Sequence, residues 1–242
     1  MRTPGTAELL DIWDAGQPLS PARRALLLLG AAFPDRDDIG AWPLGAVNRQ
    51  LIRLRQRLFG TALVCLADCA ACGEVVEIDL PVDALLGEAD AADGVQRLRA
   101  DGCDVEFHLP TAYDLLVLEE HGAGPGGWLA HAVDRARVDG ADIAVENLDG
   151  ARRAALERAV EQAIERADPL AHIACALTCP SCRHGWRADL HIVDVLWTEI
   201  GACARRVLSE VGRLARAFGW RESDILAMSA TRRNHYLEWL ET

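Results

Sequence analysis

Two Cys-x-x-Cys motifs lie far apart in the 242-residue chain, the first at Cys69 and Cys72 and the second at Cys179 and Cys182. Each motif separates two short runs in which apolar and polar residues alternate, a pattern typical of a β-hairpin with the cysteines in its turn. Two such turns that face each other bring four thiolates into the tetrahedral arrangement that zinc prefers. We therefore predict a split zinc ribbon that holds one structural zinc ion per chain through all four cysteines.

The 106 residues between Cys72 and Cys179 are many more than a compact zinc ribbon has between its halves. The entropic cost of closing a loop rises slowly, by about 0.6 kcal/mol for each doubling of length, so a subdomain inserted between the halves is tolerable. Two alternatives stay open: a pair of hairpins without metal, and two turns that never meet. His184 could replace Cys182 as a ligand, although a surface position suits it better.

The other four cysteines are predicted to be small buried side chains rather than ligands, because they occupy apolar strand or helix positions: Cys65, Cys103, Cys175 and Cys203. A thioredoxin-like redox role is disfavoured, since it needs Cys-x-x-Cys at the start of a helix, where the helix dipole lowers the thiol pKa. The longest apolar run, 25–33, is nine residues long, and the first residues do not resemble a secretion signal. We expect a cytoplasmic protein with no membrane partner, whose paired cysteines stay reduced.

Most of the remaining sequence has the periodicity of amphipathic helices, and the stretch from Ile192 to Phe218 has apolar positions at alternating steps of four and three. We predict an α+β fold, mostly helical, in which amphipathic helices surround the two hairpins and a long helix follows near the C-terminus. A glycine-rich stretch at 121–127 lacks the residues of a phosphate-binding loop and is predicted to be a flexible loop. The predicted segments are 1–60 (helical), 61–80 (first hairpin), 81–170 (acidic inserted subdomain), 171–191 (second hairpin) and 192–242 (C-terminal helices).

The negative charge is concentrated in one stretch of the chain. The formal net charge is −12, and residues 73–150 contain 18 acidic residues against 4 arginines. Such a surface repels the phosphates of nucleic acids, whose binding depends on cationic side chains. The acidic stretch is therefore either a solubilising surface, the interpretation we favour, or a site for a basic partner.

The sequence contains no catalytic motif. The chain has no lysine and therefore no phosphate-binding Walker motif, and its 7 histidines are scattered. A four-thiolate zinc site has no open position at which water could be activated. We expect a protein that is not an enzyme and has no small-molecule substrate.

The last helices contain arginine and aromatic residues of the types that dominate protein interfaces. We predict contacts with a partner protein through Arg232, Arg233, Tyr236 and Trp239. The alternative is that Tyr236 packs back on the long helix together with Leu237 and Leu240. A DNA-binding helix-turn-helix is disfavoured, because residues 203–242 contain only 7 arginines against 5 acidic residues.

Several of these segments together resemble one protein family. The segments are Trp197-Thr198-Glu199-Ile200, the run 205–211, the run 214–220 ending in Phe218-Gly219-Trp220, the run 225–229 and the run 232–237. They are similar to the C-terminal signature of the T-even-type baseplate hub assembly chaperones, which occur with contractile-tailed phages and contractile injection systems. The similarity extends to both Cys-x-x-Cys turns, to 109–115, to 168–171, and to Leu54-Arg55 with Phe59-Gly60.

The resemblance implies a non-enzymatic helper that assembles the baseplate hub in the bacterial cytoplasm by contacting hub or spike proteins. It also allows a permanent baseplate component that stays in the assembled particle, and from another class we keep a zinc-ribbon regulator that binds nucleic acid. The sequence departs from the family pattern at three positions, Ala70, Arg183 and Arg221. None of these departures removes a predicted metal ligand.

Overall fold

The computed structural model describes residues 1–86, 92, 94–121 and 127–241. Residues 122–126 of the glycine-rich stretch, predicted to be a flexible loop, lie outside the described residues. The helices are α1 Thr6–Gly16, α2 Pro21–Ala32, α3 Leu44–Phe59, α4 Val82–Leu86, α5 Ala112–His121, α6 Gly127–Ala132, α7 Gly150–Ala167, α8 Ile192–Phe218, α9 Glu222–Leu226 and α10 Ala230–Glu238. The strands are β1 Ala62–Asp68, β2 Val75–Pro81, β3 Gln96–Ala100, β4 Cys103–Phe107, β5 Val133–Val138, β6 Ala141–Asp142, β7 Ala174–Thr178 and β8 Gly185–Asp189.

The α+β class is confirmed, with long helices and small antiparallel sheets. The chain divides into two compact units, which we call the terminal unit, residues 1–33 and 193–242, and the central unit, residues 34–192. Helix α3, which the sequence groups with α1 and α2 in one N-terminal segment, lies in the central unit. In the part of the chain that the structure describes, every helix is too short or too polar to span a bilayer.

The terminal unit is built from helices whose ends follow local sequence signals. Ser20 caps α2 by accepting a hydrogen bond from the Arg23 N–H at 3.4 Å, and Pro21 takes the first helical position. Helix α1 has no such cap, because Gly5 stands at the cap position and Thr6 is the first helical residue. Helix α8 spans Ile192–Phe218, the residues over which the regular apolar seam predicted a long helix.

The core of the terminal unit forms where α8 meets the other helices. Its buried residues come from α1, α8, α9 and α10: Leu10, Ala204, Val207, Val211, Leu214, Ile225 and Leu237. The α8 residues among them recur at steps of three and four, the spacing of one helix face. The seam does not stay buried to its end, because Phe218 is 37% exposed.

The central unit contains the two cysteine hairpins and a separate four-stranded sheet. The hairpins are β1–β2 and β7–β8, both antiparallel, and the larger sheet has the order β3-β4-β5-β6. Its buried core includes side chains from β4, α6 and α7, among them Val105, Phe107, Leu129, Leu156 and Val160.

Helix α3 holds the polypeptide on both sides of the insertion. Its Arg49 guanidinium donates to the Leu86 carbonyl oxygen at 2.7 Å, just after the first hairpin. Its Asn48 side chain donates to the Leu170 carbonyl oxygen at 2.8 Å, just before the second hairpin, and the Gly45 N–H donates to the Asp168 carboxylate at 2.8 Å. Helix α3 therefore contacts the chain at the end of α4, which follows the first hairpin, and in the segment that precedes the second hairpin.

Candidate metal centre

The four cysteines of the two motifs converge at one point, as predicted. The sulfur atoms of Cys69, Cys72, Cys179 and Cys182 all lie within 4.8 Å of one another. Two cross-hairpin pairs, Cys69 with Cys182 and Cys72 with Cys179, have Sγ–Sγ distances of 3.7 Å each. A tetrahedral zinc ion with Zn–S bonds of about 2.3 Å needs sulfur atoms about 3.8 Å apart. The four cysteines could therefore hold a metal ion of this size and geometry.

The two turns have the same backbone hydrogen bonds. In the first, the Cys69 N–H donates to the Glu74 carbonyl oxygen at 2.8 Å, and the Gly73 N–H donates to the Cys69 carbonyl oxygen at 2.8 Å. In the second, the Cys179 N–H donates to the His184 carbonyl oxygen and the Arg183 N–H to the Cys179 carbonyl oxygen, both at 2.9 Å. This shared geometry directs two sulfurs from each hairpin to one side of its turn.

Backbone N–H groups also point at the sulfurs and shift their pKa values. Burial raises the pKa of Cys69, but the N–H groups of Cys72 and Ala71 outweigh it and lower the pKa to about 7. The Glu74 N–H lowers the pKa of Cys72, but the nearby sulfurs, that of Cys182 first among them, outweigh it and raise the pKa to about 12. Four adjacent thiols cannot all ionise without a cation, because neighbouring thiolates repel one another. A metal dication would supply the missing positive charge.

Each hairpin contributes one buried and one exposed ligand. Cys69 and Cys179 are 2% and 0% exposed, whereas Cys72 and Cys182 lie at the surface. A tetrahedral ion held by all four sulfurs would have no position left for water or substrate. This arrangement suits a structural ion that joins two hairpins and does not suit hydrolytic chemistry.

The alternative ligand His184 is not part of the sulfur cluster. Its side chain is exposed, and its ring stacks on Trp186 with a centroid distance of 6.3 Å. Among the described residues, the four cysteines are the only cluster of three or more histidine, cysteine, aspartate or glutamate side chains that could hold a metal ion.

The other four cysteines lie outside the cluster. Cys103 is fully buried in the core of the central unit, and Cys65, Cys175 and Cys203 are partly buried. Burial raises the pKa of the Cys103 and Cys175 thiols, so they stay protonated at neutral pH. The prediction that these cysteines are buried is therefore confirmed in full for Cys103 only.

The residues predicted to contact a partner protein are not all accessible. Arg232 and Trp239 are exposed, whereas Tyr236 is half-buried with its ring 4.9 Å from that of Trp220. Arg233 is only 2% exposed: its Nε donates to the Glu210 carboxylate at 3.0 Å and its Nη1 to the Met228 carbonyl oxygen at 2.7 Å. The prediction for Arg233 is therefore corrected, because its side chain holds α10 on α8 and is not presented to a partner.

No family model, curated protein or solved structure matches this chain. The resemblance to baseplate hub chaperones therefore stays a prediction that depends on the sequence motifs alone. The cysteine cluster stands independently of it, because its geometry comes from the fold.

Proposed function

We propose that this protein is a non-enzymatic assembly chaperone for the baseplate hub of a contractile phage tail or injection system, and that one structural zinc ion joins its two hairpins. The single observation that carries the zinc site is the convergence of four sulfurs with cross-hairpin distances of 3.7 Å. Zinc is the proposed ion because tetrahedral four-cysteine sites are characteristic of structural zinc.

The ion would supply two positive charges that hold all four cysteines as thiolates. The chain's own residues position those thiolates: the hairpin turns aim the sulfurs, and α3 fixes both hairpin bases through Arg49 and Asn48. A site with four protein ligands contributes to folding and not to catalysis. A protein organised in this way would act through its surface.

Support for the assembly role comes from the sequence motifs and from the distribution of charge. A chaperone of this kind covers adhesive surfaces of hub subunits in the bacterial cytoplasm before they meet their final partners. The 18 acidic residues against 4 arginines in residues 73–150 disfavour a phosphate-rich partner and favour a protein one.

Co-expression tests the assembly role. The chain would be produced with each hub and spike protein encoded beside it, and the mixtures analysed by size-exclusion chromatography. We expect a soluble complex with at least one hub subunit and no chain in mature particles. Recovery of the protein alone in every pairing would contradict the proposal, and its presence in mature particles would identify a permanent component.

Elemental analysis tests the metal independently. Freshly purified, reduced protein should contain one zinc per chain, and a Cys72→Ser/Cys182→Ser variant should contain almost none. The matched control is Cys203→Ala, which changes a cysteine outside the cluster. Wild-type protein without metal would remove the zinc site from the proposal.

A further inference from the structure

The outer face of the first hairpin carries an unusual combination of side chains. We use this name for the outward residues of β1 and β2: Val64, Leu66, Asp68, Val75, Glu77 and Asp79. The strand register places them opposite one another as Val64 with Asp79, Leu66 with Glu77, and Asp68 with Val75. The three apolar side chains are largely exposed: Val64 is 50% exposed, Leu66 69% and Val75 56%. The face is therefore an apolar stripe bordered by carboxylates.

The second hairpin shows that the fold does not require these residues. Its register pairs Ala174 with Asp189, Ala176 with Arg187, and Thr178 with Gly185, at the same distances from the cysteines. Alanine thus stands where the first hairpin has Val64 and Leu66, and glycine stands where it has Val75. The same turn and the same pairing form with small side chains, so the large exposed apolar residues have another role.

Among the described residues, no cationic side chain neutralises the carboxylates of this face. Within the described ranges, Asp68, Glu77 and Asp79 are exposed and have no arginine or histidine at ion-pair distance. The equivalent of Asp79 in the second hairpin, Asp189, is instead paired with His172 at 3.0 Å. The unpaired negative charges around an apolar stripe are complementary to a ligand with cationic groups around apolar ones.

The dimensions of the face suit one helix. Neighbouring strands lie about 4.8 Å apart, so a two-stranded hairpin presents a surface close to the width of one α-helix with its side chains, about 10–12 Å. An amphipathic helix with an apolar stripe would cover Val64, Leu66 and Val75, and arginines or lysines beside that stripe would reach Glu77 and Asp79. Residues 73–150, with 18 acidic residues against 4 arginines, reinforce the attraction.

We propose that the outer face of the first hairpin is a docking site for a cationic amphipathic helix of a partner protein. This inference deepens the proposed function, because it assigns the chemistry of the partner that the assembly role requires. The metal centre would contribute by holding the hairpin rigid, since an isolated two-stranded hairpin is marginally stable in water.

The test uses the full, zinc-loaded chain and a designed probe. The probe is a fluorescein-labelled helical peptide of about 18 residues, five turns long, with leucines on one face and lysines and arginines beside them. A matched peptide has glutamate in place of every lysine and arginine. Fluorescence anisotropy should show binding of the cationic peptide, weaker binding as salt is added, and no binding of the acidic one.

Two variants that take residues from the second hairpin locate the site. Val64→Ala/Leu66→Ala removes two of the three apolar side chains, which Ala174 and Ala176 replace in the second hairpin. Glu77→Arg reverses a bordering charge, as Arg187 does there. Each should weaken peptide binding by roughly tenfold or more. The matched control is Leu208→Ala, which removes a leucine that is 42% exposed on α8 and should leave binding unchanged. Zinc content and melting temperature verify that each variant is folded.

Three outcomes would overturn the inference. The first is the absence of binding to wild-type protein, and the second is equal affinity in wild type and both variants. The third is self-association of wild type that Val64→Ala/Leu66→Ala abolishes without any peptide binding, which would make a second copy the occupant. Failure of the assembly role looks different: the peptide binds, but no hub subunit forms a complex. A hub complex that survives both variants would reject the docking site alone.

Discussion

Gly73 and Arg183 occupy equivalent positions in the two cysteine turns, and both have a left-handed backbone, with φ angles of 73° and 60°. Each residue follows the second cysteine of its turn and donates its N–H to the carbonyl oxygen of the first. Glycine adopts this conformation freely, whereas a side chain there costs about 1–2 kcal/mol. The second turn therefore carries backbone strain that the first turn lacks.

Arg183→Gly should relieve this strain. We expect the free energy of unfolding to rise by up to about 1 kcal/mol, because the gain is partly offset by the greater freedom of glycine in the unfolded chain. The reciprocal change, Gly73→Ala, should cost about 1 kcal/mol. A Cβ at Gly73 would meet nothing within 4 Å, so this cost is purely conformational. Chemical unfolding of zinc-loaded protein measures both, and a destabilised Arg183→Gly variant would contradict the argument.

Removal of the proposed zinc ion should destabilise the central unit. Chelation would leave four cysteines within 4.8 Å of one another without the cation that offsets the charge of their thiolates and joins the hairpins. We expect a loss of several kcal/mol in the free energy of unfolding, since binding to a structural zinc site is coupled to folding. Chelator titration followed by circular dichroism measures the effect, and added zinc should reverse it. A melting curve that is the same with and without chelator would argue against a structural ion.

The ion pair between Arg233 and Glu210 should contribute strongly to the stability of the terminal unit. The two side chains are only 3% and 15% exposed, and Nε lies 3.0 Å from the carboxylate. Glu210→Gln would leave a buried guanidinium without its counter-charge, at a cost of about 3 kcal/mol, the low end for a broken buried pair, because Glu210 is 15% exposed. Arg206 supplies the control, because its contact with Glu210 is 3.8 Å long and its side chain is 72% exposed. Arg206→Ala should cost less than about 0.5 kcal/mol in the same unfolding measurement.

His108 should make the stability of the central unit depend on pH. Burial lowers the pKa of His108, but the carboxylates of Asp134 and Asp114, 2.8 Å and 3.4 Å away, outweigh it and raise the pKa. The stabilisation is thus fully present below the unfolded value of about 6.5 and is lost as pH rises through the folded pKa. The difference in unfolding free energy between wild type and His108→Gln should therefore be larger at acidic than at alkaline pH.

The same comparison with His235→Gln is the control for this pH effect. His235 and its partner Glu238 are both 68% exposed, so their contact is screened by solvent and contributes little. A pH dependence of equal size in both variants would show that the partly buried contacts of His108 with Asp134 and Asp114 are not responsible.

The predictable parts of the fold are those with strong local signals. The cysteine hairpins and the long helix α8 each follow a short-range pattern in the sequence, and the structure confirms both. Strands β3 and β5 were missed because their outward positions are charged: Arg97 and Arg99 in one, Arg135 and Arg137 in the other. A short segment with so many charges does not have the apolar alternation from which strands are predicted.

The missed features of the site depend on contacts between distant residues. The burial of Arg233 is made possible by Glu210, 23 residues away, and an arginine is ordinarily assigned to the surface. The role of α3 in fixing the hairpin bases depends on backbone carbonyl oxygens at Leu86 and Leu170, which have no signature in the sequence. Local patterns therefore predicted the two cysteine turns that converge, but not the contacts that α3 makes beside them.

The close approach of Gly45, in α3, to Asp168 makes it possible to test whether α3 fixes the hairpin bases. The Gly45 N–H donates to the buried Asp168 carboxylate at 2.8 Å, and a Cβ at Gly45 would lie 1.7 Å from the Oδ1 atom of Asp168. Gly45→Ala must displace either α3 or the segment before the second hairpin, and we expect a cost of about 1–3 kcal/mol, the range for overpacking. Gly212→Ala is the matched control, because a Cβ there meets nothing within 4 Å and alanine favours the helix interior.

Chelator competition should connect this change to the metal centre. If α3 fixes both hairpin bases, Gly45→Ala should lower zinc affinity as well as stability, although Gly45 is not a ligand. Gly212→Ala should lower neither zinc affinity nor stability. Displacement of the base of the second hairpin would move Cys179 and Cys182 away from the tetrahedral spacing that the ion requires. A Gly45→Ala variant that is less stable but retains wild-type zinc affinity would show that the hairpin turns alone determine the site.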